Sequence, residues 1–302
     1  MKKKENMNEN NINENNKSEE NNNKNEGEEN KEENKLNINN INEDNKDEAL
    51  QLISSNREIT EEEINSCPIL ILKEQDGKLL QGKEITINAS GMIGGRNLKD
   101  GVSIFGKKNN NNDNFKHDFE LNYEENLNYP YIFAIYYQRE FKNYSLRAFS
   151  GKESDNRILY VKLNNNYSLP LKQKEIFSAG NIVFQVTPIE NNKIEVLNLS
   201  KKNEEEEQKK IFDPNEIKEI SIGRDKKCDF SFPKDKSFSR IQTTFLFDDD
   251  KKEWIIIDGS KTKSSTNGTW IFGTHTFEIK DQLMVEILNS KIIFSLRIQN
   301  KH

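Results

Sequence analysis

The region from residue 222 to residue 269 constrains the fold most strongly, because apolar and polar residues alternate through much of it. Its β-type runs are residues 228–232, 243–247 and 254–258, and short polar segments separate them. Alternation with a period of two, interrupted by turn-rich gaps, is typical of successive antiparallel strands. The polar segments are therefore predicted to be loops at strand junctions, where a rigid sheet can present binding groups.

Three short motifs occupy these polar segments. They are, in order, Gly223-Arg224, Ser239-Arg240-Ile241-Gln242 and Thr266-Asn267-Gly268. This order resembles the forkhead-associated (FHA) domain, a β-sandwich that binds phosphothreonine peptides. The pattern of that family is Gly-Arg, then Ser-x-x-His, then Asn-Gly preceded by Ser or Thr. Gln242 stands where the family has His, a structural residue below the loop, and Gln can also donate and accept hydrogen bonds. Each motif alone is typical of an ordinary turn, whereas all three in order favour binding.

The resemblance implies a phosphopeptide-binding site built from five residues of these motifs. A phosphate ester carries a charge of roughly −1.5 to −2 and three acceptor oxygens, so its site needs several donors. Arginine offers a planar fork of donors, hydroxyl groups donate, and a carboxamide can bind both N–H and C=O of a peptide main chain. The family also prefers phosphothreonine to phosphoserine. The predicted site residues are Arg224, Ser239, Arg240, Thr266 and Asn267.

A similar succession of strands and motifs comes earlier, in residues 68–187. Gly95-Arg96 echoes Gly223-Arg224, but Asn128-Tyr129-Pro130-Tyr131 and Asp155-Asn156-Arg157 stand where the other two motifs are expected. Residues 68–187 are therefore predicted to be a divergent copy of the same sandwich. Because most binding positions differ, we expect this copy to act as a scaffold or as a protein-docking platform.

Composition and patterning divide the chain into four parts. Residues 1–48 consist almost entirely of Asn, Glu and Lys and are predicted to be a disordered low-complexity tail. Residues 49–67 are predicted to be a short helical linker, because Thr60 and Glu63 form a capping-box pattern. Residues 68–187 and 190–300 follow as two tandem β-sandwiches of the FHA-like, SMAD/FHA type. The predicted fold class is therefore all-β.

The charge balance argues against specific nucleic-acid binding. The tail carries 8 Lys against 12 Glu and 2 Asp, and its net charge of −6 equals that of the whole chain. The remaining residues are therefore neutral overall, unlike a nucleic-acid-binding domain. No metal or cofactor is expected, because the histidines show no ligand spacing with Cys67 and Cys228. No nucleophile–base pattern or P-loop is present either, so catalysis is not expected.

The same features favour an intracellular protein in the cytoplasm, the cytoskeleton or the nucleus, and not a secreted one. Cys67 and Cys228 show no disulfide pattern, and the residues after Met1 are polar, unlike a signal peptide. No apolar run has the length that a membrane span needs.

Two functions from different classes fit this sequence. The first is a non-catalytic adaptor whose C-terminal sandwich binds a phosphothreonine-containing protein or peptide. The second is a phosphate-independent structural component of a larger assembly, for example a cytoskeletal or ciliary one, and the divergent first copy and Gln242 motivate it. The sequence leaves open the partner, its flanking residues and the oligomeric state.

Overall fold

The computed structural model describes residue 51 and residues 58–96, 99–106, 117–123, 131–149, 158–164, 167–200, 209–273 and 276–299. Among these residues there is one α-helix of more than one turn, α1 (Glu61–Ser66), and one 3-10 turn (Glu190–Asn192). All other regular elements described in full are strands, which confirms the all-β class. The strands are β1 (Ile69–Glu74), β2 (Ile85–Asn88), β3 (Gly91–Met92), β4 (Val102–Gly106), β5 (Phe119–Glu120), β6 (Tyr131–Gln138), β7 (Asn143–Ala148), β8 (Leu159–Lys162), β9 (Leu169–Pro170), β10 (Glu175–Ala179), β11 (Ile182–Pro188), β12 (Ile194–Asn198), β13 (Lys209–Phe212), β14 (Glu219–Gly223), β15 (Phe230–Ser231), β16 (Thr243–Asp248), β17 (Glu253–Asp258), β18 (Thr269–Phe272), β19 (Thr276–Glu278), β20 (Leu283–Ile287) and β21 (Ser290–Arg297).

Helix α1 begins at the capping box that the sequence predicts. The Thr60 hydroxyl accepts a hydrogen bond from the Glu63 amide at 3.2 Å, and the Glu63 carboxylate accepts one from the Thr60 amide at 2.8 Å. Two amides that the helix itself leaves unbonded are thereby satisfied. Residues 1–50 and 52–57, which include the predicted tail and part of the predicted linker, lie outside the described residues. No helix among the described residues is long and apolar enough to cross a membrane.

The strands form three sheets. One has eleven strands in the order β13-β12-β11-β10-β18-β8-β20-β21-β1-β2-β3. The other two have five strands each, in the orders β15-β14-β16-β17-β9 and β19-β7-β6-β4-β5. Strands β8 and β18 pair antiparallel at the centre of the large sheet and join its two halves.

Strand pairing defines two sandwiches that exchange chain segments. In what we call the second sandwich, β9 pairs with β17 and β10 pairs with β18, so all of its strands lie between β9 and β18. In the first sandwich, β19 pairs with β7 and β20 pairs with β8, so β19–β21 return to join β1–β8. The second sandwich is therefore inserted into the first, between β8 and β19, and relative to the predicted boundary near residue 188 the segments β9–β11 and β19–β21 have changed places.

Aromatic packing holds the two layers of the second sandwich together. Phe177 and Phe184, on β10 and β11, stack with ring centroids 5.2 Å apart. Phe245 on β16 packs edge-on against Phe177 at 5.7 Å, and Phe230 on β15 packs against Phe184 at 6.1 Å. Phe177, Phe184 and Phe245 are fully buried, so the core lies between the sheets, as period-two alternation requires.

The exchange crosses the domain division that the sequence suggests. Residues 68–187 and 190–300 were expected to form consecutive sandwiches, but β9–β11 pair with later strands and β19–β21 pair with earlier ones. The expectation rested on local closure, because strands close in sequence are usually neighbours in a sheet. Here β9–β11 and β19–β21 occupy corresponding places in their sheets, next to β17 and β18 in one case and next to β7 and β8 in the other.

Candidate anion-binding site

A cavity of about 650 Å³ lies where three loops of the second sandwich meet. The loops follow β14, precede β16 and precede β18, and they carry the three sequence motifs. All five predicted site residues line the cavity, and so do residues that the motifs do not include, among them Lys236, Ser237, Phe238 and Lys263. The structure thus brings the predicted residues together, while their part in binding stays a prediction.

The loop after β14 lies directly against the loop before β16. The Arg224 amide donates a hydrogen bond to the Ser239 carbonyl at 2.9 Å, and the Asp225 amide donates to the Arg240 carbonyl at 3.0 Å. A Cβ atom on Gly223 would collide with the Arg240 carbonyl oxygen, so only glycine permits this approach. The two arginines are thereby held on neighbouring loops, and both are exposed.

Two hydroxyl groups meet at the cavity rim. The Ser239 Oγ accepts a hydrogen bond from the Thr266 amide at 2.9 Å and lies 3.3 Å from the Thr266 Oγ1. This pair joins the loop before β16 to the loop before β18. Because a hydroxyl proton can rotate, both groups can turn their protons towards a bound anion.

Gln242 connects the same two loops from the buried side, away from the cavity. Its side chain is fully buried. The Oε1 accepts a hydrogen bond from the Ser239 amide at 3.0 Å, and the Nε2 donates to the Ser265 Oγ at 2.8 Å and to the Gly268 carbonyl at 2.7 Å. A carboxamide carries both a donor and an acceptor, so one residue can satisfy all three groups. Gln242 therefore supports the loops without reaching the ligand side.

A buried carboxylate holds the loop before β18. Asp258, at the end of β17, accepts hydrogen bonds from the Ser265 amide at 3.0 Å, the Ser265 hydroxyl at 2.6 Å and the Thr269 hydroxyl at 3.1 Å. Hydrogen bonds to an ionised acceptor are stronger than neutral ones, so this cluster fixes the loop firmly. Sequence reasoning missed Asp258 and Ser265, because nothing in their spacing separates them from ordinary strand-end residues.

Asn267 also links two loops. The Asn267 side-chain Nδ2 donates to the Ser237 backbone carbonyl at 2.8 Å, and the Asn267 backbone carbonyl accepts a hydrogen bond from the Trp270 Nε1 at 3.0 Å. In the predicted contact with a peptide main chain, Asn267 would therefore use the second proton of its Nδ2 and its side-chain oxygen Oδ1. The residue is exposed, so both remain accessible to a ligand.

The cavity carries an excess of positive charge. Four cationic side chains line it, namely Arg224, Lys236, Arg240 and Lys263, against one carboxylate, Asp225. Within the described part of the chain, none of the four forms an ion pair. Other surface lysines do, for example Lys218 with Asp249 at 2.6 Å and Lys261 with Glu219 at 2.7 Å. The cavity therefore offers its charge to a ligand rather than to the protein.

The first sandwich does not repeat this arrangement at Arg96. The Arg96 side chain is only 9% exposed, and its Nε donates to the Asp118 carboxylate at 3.0 Å. A second guanidinium nitrogen donates to the Val102 carbonyl at 3.1 Å. The guanidinium therefore serves the interior of this sandwich.

The expected equivalence between Arg96 and Arg224 is wrong. Arg224 follows β14, which pairs parallel with β15, whereas Arg96 precedes β4, which pairs parallel with β5. Gly106, at the end of β4, is the residue that corresponds to Gly223. A Gly-Arg dipeptide does not reveal at which end of a strand it lies. Residues 107–116, 124–130 and 150–157 lie outside the described residues, so most positions of the other two expected motifs do as well.

The fold and the cavity together define a class: a β-sandwich whose loops present hydroxyls and unpaired cations around one small cavity. A family model described as FHA domain matches residues 220–287, so the chain contains an FHA domain. FHA domains are generally phosphothreonine-binding interaction modules and not catalysts. No curated protein and no solved structure matches the chain. The resemblance of residues 68–187 to the same family stays a prediction.

Proposed function

We propose that this protein is a non-catalytic adaptor that binds phosphothreonine-containing peptides in the cavity of the second sandwich. One observation carries the proposal: two adjacent hydroxyls, and two arginines that form no ion pair with any described residue, line the same cavity on loops that hydrogen bonds hold together. Preorganised donors need little further ordering when an anion binds, which favours affinity.

Each predicted residue has a part in this binding. Arg224 and Arg240 offer charged donors to the phosphate oxygens, and the hydroxyls of Ser239 and Thr266 add neutral ones. Asn267 contacts the peptide main chain. A hydrogen bond to a charged group contributes about 1.5–3 kcal/mol net. Three or four of them, less the cost of ordering a peptide, give about −8 kcal/mol, which corresponds to micromolar affinity.

The direct test is a calorimetric titration of the full chain with a phosphothreonine peptide and with its unphosphorylated form. We expect binding of the phosphorylated peptide alone, and Arg224→Ala to weaken it by about tenfold or more. Arg297→Ala is the matched control, because Arg297 is an equally exposed arginine on β21 of the first sandwich. Equal affinity for the two peptides would refute the proposal.

A phosphate-independent structural role is the second candidate, and the inward-facing Arg96 favours it for the first sandwich. In this reading the first sandwich docks constitutively in a larger assembly while the cavity stays idle. Partners that co-purify with the protein after phosphatase treatment support this role. Partners that are lost on the same treatment support the adaptor.

A further inference from the structure

The turn between β10 and β11 reaches the binding cavity from the exchanged segment of the chain. The Asn181 amide donates a hydrogen bond to the Ser237 Oγ at 3.2 Å. Gly180 has a φ of +57°, and a Cβ atom placed on it would lie 2.5 Å from the Ser237 Oγ and 3.0 Å from the Phe238 ring. A Cβ contact of 2.5 Å is shorter than real Cβ atoms show, so an alanine at residue 180 requires the Ser237 hydroxyl or the turn to move.

The two residues that the turn contacts are part of the cavity wall. Ser237 and Phe238 both line the cavity and directly precede Ser239. The Ser237 carbonyl also accepts the hydrogen bond from Asn267, at 2.8 Å. Phe238 is 2% exposed and stacks on Phe232 with ring centroids 4.9 Å apart. A displacement of Ser237 therefore affects the loop with the Ser239 hydroxyl and the loop with Asn267 together.

We propose that the turn of Gly180 and Asn181 positions the binding cavity, so that the functional unit includes strands β9–β11. The proposal rests on the proposed function for its effect on affinity. The matched family region ends at residue 287, the last residue of β20, yet β19 and β20 pair in the first sandwich. In the second sandwich, the strands next to β17 and β18 are β9–β11, which lie before the matched region in the sequence. Gly180 and Asn181 are thus positioning residues that the family match does not include.

The test is Gly180→Ala in the full chain, compared with Gly82→Ala. Both glycines have positive φ, +57° and +70°, so alanine adds similar backbone strain at both sites. A Cβ atom on Gly82, in the loop between β1 and β2, would meet no atom within 4 Å. We expect Gly180→Ala to weaken phosphopeptide binding about tenfold or more and Gly82→Ala to change it less than about twofold. Equal affinity of the two variants would overturn the proposal.

A second substitution separates positioning from general damage. Ser237→Ala removes the atom nearest to the added Cβ, so it should restore part of the affinity that Gly180→Ala loses. Alone, Ser237→Ala should weaken binding several-fold, because the Asn181 amide loses its acceptor. The two effects are then non-additive, as expected for residues in contact. Strictly additive losses would contradict a direct contact between the turn and Ser237.

A readout without peptide keeps this proposal distinct from the proposed function. In amide correlation NMR spectra of the free full chain, Gly180→Ala should shift the signals of Ser239, Thr266 and Asn267, and Gly82→Ala should not. If the native protein fails to distinguish phosphorylated from unphosphorylated peptide, the proposed function fails while these shifts still decide the positioning role. Unchanged signals at all three residues would refute that role.

Discussion

The two sandwiches keep the same structural aspartate and differ in what faces it. Asp118 precedes β5 and accepts a hydrogen bond from the Ile104 amide at 2.7 Å, and Asp229 precedes β15 and accepts one from the Ser221 amide at 2.7 Å. In the first sandwich, Arg96 pairs with that aspartate inside the protein. In the second, the Ser221 hydroxyl donates to Asp229 at 3.1 Å, and Arg224, which does not correspond to Arg96 in position, is exposed on the cavity. The aspartate therefore has the same place in both sandwiches, whereas the arginines of the two sandwiches have different surroundings.

The largest difference between the two sandwiches should come from removing these aspartates. Asp118→Ala removes the nearer of the two carboxylates that pair with the buried guanidinium of Arg96 and leaves only Asp100, at 3.6 Å, so it should cost up to about 3–5 kcal/mol. Asp229→Ala removes a carboxylate that accepts from the Ser221 amide and the Ser221 hydroxyl, so it should cost about 1–3 kcal/mol. Urea unfolding of the full chain measures both values. Equal costs would show that the Arg96 pair adds nothing to the first sandwich.

A buried carboxyl group distinguishes the exchanged strands. Glu175 begins β10 and is 2% exposed, and the corresponding first residue of β20 is the buried Leu283. Burial raises the pKa of Glu175 to about 7, although a hydrogen bond with Gln173 lowers it in part. Ionising the group in the folded protein therefore costs free energy that the unfolded chain does not pay.

This pKa predicts a pH dependence that Glu175→Gln should remove. Below the ordinary pKa of the group, Glu175 is protonated in both states, so its contribution to stability is fully present. As pH rises from about 4.5 through 7, that contribution is lost, and it amounts to about 3 kcal/mol. Glu175→Gln should unfold at higher urea concentration than the native protein at pH 8, and the gap should close near pH 4.5. A gap that is independent of pH would contradict the raised pKa.

The sequence predicts that the motif loops converge better than it predicts how the strands connect, and particular residues show why. The motifs of Arg224, Ser239 and Asn267 are local, and each stands at a strand junction whose alternation is clear, so their convergence follows once the sandwich forms. The exchange is not local, because β9–β11 and β19–β21 have the same strand pattern and fit the same kind of place. Alternation specifies which face of a strand is buried, but it does not specify which other strand it pairs with.

Arg96 and Glu175 show a second limit of sequence reasoning. Gly95-Arg96 has the letters of the binding motif, yet its position before β4 turns the guanidinium towards Asp118. Glu175 precedes a clear strand pattern as an ordinary polar residue, and only the packing of the exchanged strands buries it. In both cases the chemistry of the side chain is decided by tertiary neighbours, which a dipeptide or a strand pattern does not contain.

Gln242 tests whether the second sandwich depends on its loop support. Gln242→Ala leaves the Ser239 amide, the Ser265 hydroxyl and the Gly268 carbonyl without this partner, so it should cost about 1–3 kcal/mol of stability. Phosphopeptide affinity should fall about tenfold, because the two loops lose their common anchor. Gln242→His restores the family residue and should retain most of the affinity. Calorimetry and urea unfolding of both variants decide this, and tight binding by Gln242→Ala would show that the loops hold without it.

The smallest expected effects come from the two cavity lysines. Lys236→Gln and Lys263→Gln should each weaken phosphopeptide affinity about twofold to fivefold, because an exposed charge contributes at most about 1 kcal/mol. Lys261→Gln is the matched control, since Lys261 is a near neighbour in sequence that pairs with Glu219 at 2.7 Å and does not line the cavity. The differences in affinity between these lysine variants and the native protein should largely vanish in 1 M salt, where the screening length is about 3 Å. Arg224→Ala should keep part of its effect there, because directional hydrogen bonds are screened less than exposed charges. If all three lysine variants behave alike at low salt, the unpaired charge of the cavity has no special part in binding.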